Sequence, residues 1–415
     1  MNMPANPADL VVNGRAYAHP DRPVVVICLD GSEPGYIEAA IEAGVAPNLD
    51  RILKTGTNRT ALSVVPTFTN PNNLSIVTGR PPAVHGISGN FFYDREAGVE
   101  VMMNDAKFLR VPTIFATAQQ AGMKIAVVTA KDKLRTLLGK GLDFASGTAI
   151  AFSSEKADQA TKAENGIENV LDFVGLPLPN VYSADLSEFI FAAGVKLLDS
   201  FRPDLMYLST TDYVQHKAAP GAKAANDFYA MFDRYVGQLD AAGFTIVITA
   251  DHGMNDKHDS DQQPAVIYLQ DVLDAELGAG TARVILPITD PYVAHHGALG
   301  SFATVYVDAD KVQSVIDAAG AIDGVTVAIA AAEAGERFEL PIDRIGDVVV
   351  ICDRHKVLGT TAARHDFSGL TEPLRSHGGL TEQRVPLISN RPTEVTPDRI
   401  LRNFDAFDMA LNLVR

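Results

Sequence analysis

The sequence predicts an α/β protein with a doubly wound, mainly parallel central sheet flanked by helices, and a smaller α+β cap inserted late in the chain. Three observations predict it. Short apolar, β-branched runs at Pro23–Leu29, Lys124–Thr129, Leu205–Thr211 and Phe244–Thr249 have the texture of strands buried on both faces. Helical stretches alternate with these runs through the first 250 residues, the order expected of strand–helix–strand units. Beyond Gly253 the texture changes to β runs with an Ala-rich helix after them.

In chain order, the Pro23–Leu29 strand ends in Asp30-Gly31 and is followed by helices from Pro34 to Ala43 and from Pro47. Leu62 to Gly79 reads as a strand, a polar turn and a helix ending at Gly79, which sets Thr69 where a helix N-terminus points its free N–H groups. His85 to Asn90 is a glycine-punctuated loop. A helix over Val111–Gln120 leads to the Lys124–Thr129 strand and at once to Ala130-Lys131-Asp132-Lys133. Residues 151–180 are polar and rich in Gly and Pro, an expected excursion from the core. Leu186–Phe201 is an amphipathic helix, Leu205–Thr211 a strand ending in Asp212, and Asn226–Ala241 a helix leading to Phe244–Thr249. The apolar runs from Ala265, Ala282 and Phe302, with a helix over Asp310–Ala319, form the cap. Arg375–His377 and Val385–Ile388 return to strand texture, and a helix from Pro397 to Leu413 closes the fold. The expected division is residues 1–262 as the first part of the core, 263–362 as the cap and 363–415 as the return to the core.

Composition bounds the partners. The chain has 415 residues, 47% of them hydrophobic, enough for a sizeable core. A formal net charge of −16 and a pI near 5.0 argue against nucleic acid and anionic membrane. An anionic small molecule is still accepted, because a bound dication reverses the local field. Cys28 and Cys352 each close a Val-Val-Val-Ile-Cys run and read as buried strand thiols rather than a disulfide. No signal-peptide pattern and no apolar run of membrane-spanning length is visible, so a cytoplasmic enzyme is the expectation.

The chemistry gathers where strands end. Asp30, Thr69, Asp212 with His216, and Asp251 with His252 all follow predicted strands, and His377 precedes two glycines. Asp212 and His216 are spaced i, i+4, neighbours on one helical face. Considered singly, Asp30 could be a turn former, Thr69 and Asp212 helix caps, and His216 a surface residue. Together they supply three carboxylates, three imidazoles and a hydroxyl, the number that one four-ligand and one three-ligand zinc site require. Two such metals form the usual clamp for displacement at phosphorus.

The motifs Leu29-Asp30-Gly31, Pro66-Thr-Phe-Thr69-Asn-Pro-Asn72, Thr78-Gly79-Arg80, His85-Gly86-Ile87, Asn90-Phe-Phe-Tyr-Asp94, Asp212-x-x-x-His216, Ala250-Asp251-His252-Gly253 and Ser376-His377-Gly378 resemble the alkaline phosphatase superfamily, in its nucleotide pyrophosphatase/phosphodiesterase branch. The resemblance implies one zinc held by Asp30, Thr69, Asp251 and His252, and a second held by Asp212, His216 and His377. It also implies Thr69 as nucleophile and Asn90 as hydrogen-bond donor to the phosphoryl oxygens. One departure is visible: the family often carries His after its Phe-Pro-Asn, where this chain reads Asn70-Pro-Asn72-Asn73. Arg344–Gly359, Ser368–Gly379 and Thr129–Lys133 are similar to phosphonoacetate hydrolases within that superfamily.

The expected reaction is cleavage of the C–P bond of phosphonoacetate through a phosphothreonine, with two Zn2+ per chain. Lys131 and Lys133 are the candidates to hold the substrate carboxylate, and Arg283 or His296 of the cap could close over it. Their alternative reading is a pair of exposed lysines at a helix start. The expected partner is a small anionic organophosphonate, with no nucleic acid, no membrane, and a homodimer as a permitted assembly. A nucleotide pyrophosphatase/phosphodiesterase or a phosphomonoesterase on the same metals is the alternative. A non-catalytic binding protein is disfavoured by the intact nucleophile and ligands.

Overall fold

A computed structural model describes residues 10–288 and 299–414. Its centre is a seven-stranded sheet in the order Thr57–Leu62, Arg384–Ser389, Thr245–Thr249, Val24–Cys28, Leu205–Ser209, Ile125–Thr129, Ala149–Ser153. The last five are mutually parallel, and Arg384–Ser389 runs antiparallel to both of its neighbours. The parallel strands are buried along their whole length, as strands covered by helices on both faces must be. Two apolar clusters fill the two faces. One packs Ile37, Phe189, Phe228 and Phe232 against Ile27, Met206 and Ile248; the other packs Leu74, Phe115 and Phe407 against Val26, Val127 and Tyr207.

A second sheet is antiparallel, in the order Ala282–Ile285, Phe302–Val307, Val348–Cys352, Val325–Ala330. The helices Leu269–Leu277 and Val312–Gly320 contribute Leu273, Val315 and Ala319 to its apolar face. Its other side shares a cluster with Val65 and Phe68, just before Thr69. Cys28 and Cys352 are buried free thiols, one in each sheet.

Four expectations are corrected. The strand expected from Leu62 lies earlier, at Thr57–Leu62, where exposed and half-buried residues alternate beside a partly covered sheet edge. Residues 151–180 are not wholly an excursion, because Ala149–Ser153 forms the far edge of the central sheet. Two alanines and a serine there dilute the β-branched signal, and tertiary pairing overrides it. The helix expected from Val111 begins at Ile114, capped by Thr113, whose side chain accepts the Ala116 N–H. The C-terminal helix is reduced to short turns over Asn403–Leu413. The strand Val325–Ala330 and helix Ala331–Phe338 were not anticipated. Among the described residues no helix is long and apolar enough to cross a membrane.

His85 ties the loop leading to Asn90 onto the helix that begins at Thr69. The ring is fully buried, its Nδ1 accepts the Ile87 N–H at 3.2 Å, and its Nε2 lies 2.9 Å from Ser75 Oγ. Burial holds it neutral, lowering its pKa from 6.5 to about 3. Between those values the unfolded chain binds a proton that the native ring refuses, so stability falls as pH falls through the window. The slope is up to ~1.4 kcal/mol per pH unit, or about 2 kcal/mol between pH 6.5 and 5. Denaturant unfolding of His85→Asn at both pH values is expected to show a slope shallower by about one proton. Equal slopes in variant and parent would refute this role.

Candidate active site

Three neighbouring parallel strands end level. Thr249 pairs with Cys28, and Cys28 with Ser209, so Asp251-His252, Asp30 and Asp212 leave the sheet side by side at the strand ends where α/β proteins place their sites. Gly31, at φ +70°, permits the approach: a Cβ there would lie 2.8 Å from Asp212 Cβ. Asp212 precedes the short helix Tyr213–Lys217, but its side chain makes no cap hydrogen bond and turns to His216 instead. His377 arrives from the return segment. Gly378, at φ +118°, lets it lie over Phe68, whose ring a Cβ would meet at 2.5 Å.

The backbone orients all three histidines in one sense. Nδ1 of His216 lies 2.8 Å from the Arg375 carbonyl, that of His252 2.9 Å from the Gly253 carbonyl, and that of His377 2.6 Å from the Thr67 carbonyl. A carbonyl only accepts, so each Nδ1 carries the hydrogen, and each ring in its neutral form directs an Nε2 lone pair inward. Those lone pairs meet carboxylates. His252 Nε2 is 3.2 Å from Asp30 Oδ1, and His216 and His377 Nε2 are 2.9 and 3.7 Å from Asp212 Oδ2. Two lone pairs at such distances repel unless a proton or cation lies between them.

Asp30 Oδ1 and His252 Nε2 are buried with no hydrogen-bond partner among the described residues. The ligand atoms of Asp212, His216 and His377 gather within 4.8 Å of one another, as do those of Asp30, Asp212 and His252. Mixed imidazole and carboxylate donors in closed clusters suit zinc, and Nδ1–H on a carbonyl is the usual second contact of a metal-bound imidazole. The residues therefore fit a pair of divalent cations.

The electrostatics agree. Burial, then Asp212 and Asp251, push the Asp30 carboxyl well above the carboxylate range, and burial also raises Asp251. Burial opposes ionisation of Asp212 too, but positive charge at His216, then at His377 and His252, would hold it well below that range, the part a bound cation would also play. Burial and the adjacent His252 keep His377 neutral, far below its ordinary value. Crowded carboxyls forced toward protonation beside a neutral imidazole present a charge imbalance that a dication relieves.

Thr69 is the first residue of the helix Thr69–Thr78 and is half-buried; Phe68, not Thr69, is its N-cap. Asn73, one turn on, was not read from the sequence as a site residue. Its Oδ1 accepts from Tyr207 OH at 2.7 Å and Ser209 Oγ at 2.9 Å, while its Nδ2 donates to the Thr69 carbonyl at 3.0 Å and Asp251 Oδ2 at 3.2 Å. All four valences of the amide are used, and they tie Thr69 to Asp251. The i, i+4 spacing from Thr69 was the available signal. Asp251 is satisfied on its other oxygen, where Oδ1 accepts from Gly31 and His252 N–H groups at 3.2 and 3.0 Å.

Asn90 opens the hairpin Phe91–Asp94/Val99–Met102, and its Oδ1 is buried without a partner among the described residues. Lys131 caps, and Lys133 enters, the helix Asp132–Leu138. Lys131 is half-buried; Lys133 is exposed, with Nζ 3.4 Å from Met102 Sδ at the base of that hairpin. Arg283 places its guanidinium 4.4 Å above the Tyr93 ring and 3.6 Å from Glu100, on the hairpin that Asn90 opens. His296 lies outside the described residues.

A family model for type I phosphodiesterase / nucleotide pyrophosphatase matches residues 24–380. The chain belongs to that family. Within the phosphodiesterase family it is similar to a phosphonoacetate hydrolase from Sinorhizobium meliloti 1021, at 60% identity over 97% of this chain and 98% of that one, with a TM-score of 0.94. That hydrolase has been solved with phosphonoacetate and with phosphonoformate. A venom phosphodiesterase of Macrovipera lebetinus is 25% identical over 56% of this chain, and the match spans 25% of that protein's length. Murine ectonucleotide pyrophosphatase / phosphodiesterase 5 shares the fold, with a TM-score of 0.63 at 19% identity over 95% of this chain and 96% of that one. The fold is alkaline phosphatase-like.

Proposed function

We propose that this chain hydrolyses the C–P bond of phosphonoacetate to acetate and inorganic phosphate, with Thr69 as nucleophile beside two zinc ions. The observation that carries the reading is the set of three inward imidazole lone pairs facing Asp30 and Asp212 at the strand ends. The 60% identical hydrolase solved with phosphonoacetate supports the choice of substrate. Asp30, Thr69, Asp251 and His252 would hold one ion and Asp212, His216 and His377 the other, with Asp212 near both sets. Zinc bound there would lower the pKa of a hydroxyl and neutralise charge on phosphoryl oxygens.

Thr69 Oγ gives up its proton to solvent and forms an O–P bond as the C–P bond breaks, and one proton returns from solvent to the departing carbon. The electron pair passes to the methylene of the acetate group, delocalises into its carboxylate as an enolate, and is quenched by that proton. Water then cleaves the O–P bond, releasing phosphate and restoring the hydroxyl. Asn73 holds the Thr69 backbone and Asp251 in fixed relation during this, and the Asn90 amide donates to a phosphoryl oxygen. Lys131 and Lys133 bind the far carboxylate, and their positive charge would stabilise the dianionic enolate that departs. The segment 263–362 is the proposed cap over the site.

Lys131→Ala and Lys133→Ala are expected to lower kcat/KM for phosphonoacetate by roughly 10- to 100-fold, the size of a lost charge-assisted contact, with a much smaller change for an aryl phosphate ester. Equal losses on both substrates would remove the lysines from carboxylate binding. The family match favours a second reading, hydrolysis of a nucleotide diester on the same metals. Phosphate release from phosphonoacetate, measured beside cleavage of a nucleotide diester, decides between them; turnover of the diester alone would overturn the proposal.

A further inference from the structure

Beside the stacked imidazoles of His252 and His377 lies a buried ion pair that the proposed reaction does not use. The side chains of Lys257 and Glu382 are both 0% exposed, with Nζ 3.0 Å from Oε1. Lys257 Nζ also donates to Ser301 Oγ at 2.7 Å and the Arg354 carbonyl at 2.8 Å, so all three of its donors are engaged. Glu382 Oε1 further accepts from Asn255 Nδ2 at 2.5 Å and Thr381 Oγ1 at 2.6 Å, and Oε2 accepts the Gly379 N–H at 2.9 Å. Buried charges persist only when paired and hydrogen-bonded, and this pair is saturated.

The pair joins segments that carry the inward histidines. Asn255 and Lys257 lie just beyond His252, and the Gly253 N–H donates to the Glu382 carbonyl at 2.7 Å. Gly379 lies just beyond His377, whose carbonyl accepts the Ser301 N–H at 2.9 Å. Ser301 adjoins the second-sheet strand Phe302–Val307, and Arg354 follows the strand Val348–Cys352. One charge pair therefore fastens the chain after His252 to the chain after His377, and both to the second sheet. The two rings are parallel with centroids 3.6 Å apart, while their Nε2 atoms face different carboxylates, Asp30 and Asp212. Small slippage of either segment would change that spacing.

We propose that the Lys257–Glu382 pair is a positioning device that sets the spacing of His252 and His377 and thereby the affinity of the metal pair. This rests on the reading that both histidines bind metal. Replacing a buried ion pair by well-packed apolar residues leaves a fold near its original stability, whereas removing one partner strands a charge. Groups that orient ligands change metal affinity by roughly 10- to 100-fold. The double variant Lys257→Met/Glu382→Leu thus separates positioning from simple support of the fold.

The test titrates zinc into chelator-treated parent and double variant, with thermal unfolding measured in zinc-free buffer. The expected result is two zinc ions per parent chain, a variant that unfolds within a few degrees of the parent, and at least one zinc held about tenfold more weakly. A folded double variant that binds both ions as tightly as the parent overturns the positioning role alone. A parent that takes up no zinc overturns the metal reading, and the positioning role with it. If the double variant does not fold, Lys257→Met/Glu382→Gln also removes both charges while keeping the oxygen that faces Gly379, and its titration is read the same way.

Discussion

Thr69→Ala is expected to lower turnover of phosphonoacetate by ~10^4-fold or more, the scale of losing a covalent nucleophile. The structure makes this variant a clean probe. Thr69 is half-buried, its side chain does not cap its own helix, and its carbonyl, which the substitution retains, accepts from Asn73. Losing a hydroxyl and a methyl at such a position costs about 1 kcal/mol of stability, so the protein should fold. Three further donors remain for the metal that Thr69 would share. Thr69→Ser, which restores a hydroxyl, is expected to recover measurable turnover. Thr69→Ala within tenfold of the parent would mean that water attacks phosphorus directly, and the phosphothreonine would be abandoned.

Asp212→Asn is the second change expected to be severe. Asp212 belongs to both clusters of ligand atoms, whereas His216 belongs to one. The amide is isosteric but neutral, so His216 and His377, whose Nε2 atoms face Asp212, would lose the charge that helps retain dications. Elemental analysis is expected to find close to two zinc ions per parent chain, about one in His216→Ala and fewer than one in Asp212→Asn. Because metal would bind the native state only, chelation should also lower the unfolding midpoint; a site at a thousandfold excess of free metal over Kd contributes about 4 kcal/mol. Equal metal content in the two variants would show that Asp212 serves a single ion. No metal in protein never exposed to chelator would remove the metal reading.

Most of the ligand-bearing framework was legible in the chain. Val24–Cys28, Leu205–Ser209 and Thr245–Thr249 could be read as buried strands from apolar runs alone, and each is followed within a few residues by a carboxylate. What stayed illegible was non-local. Ala149–Ser153 is a strand because Ile125–Thr129 offers it a parallel partner, not because Ala-Ile-Ala-Phe-Ser favours extension. Asn73 appeared only as a departure from a family pattern, yet it connects Tyr207, Ser209 and Asp251. Arg283 is legible in the chain only as a cation, and its neighbours Tyr93 and Glu100 come from a hairpin nearly two hundred residues away.

The division follows from the range of the forces. Hydrophobic periodicity, strand ends and helix starts are short-range properties, so the chain alone dictated where Asp30, Asp212, Asp251 and His252 would follow a strand and where Thr69 would begin a helix. Folding dictated which atoms of those residues meet: the inward turn of three imidazoles by the carbonyls of Thr67, Gly253 and Arg375, and the burial of Lys257 against Glu382. Hydrogen-bond direction and charge pairing act over a few ångströms between residues far apart in sequence, and no local pattern specifies the partner.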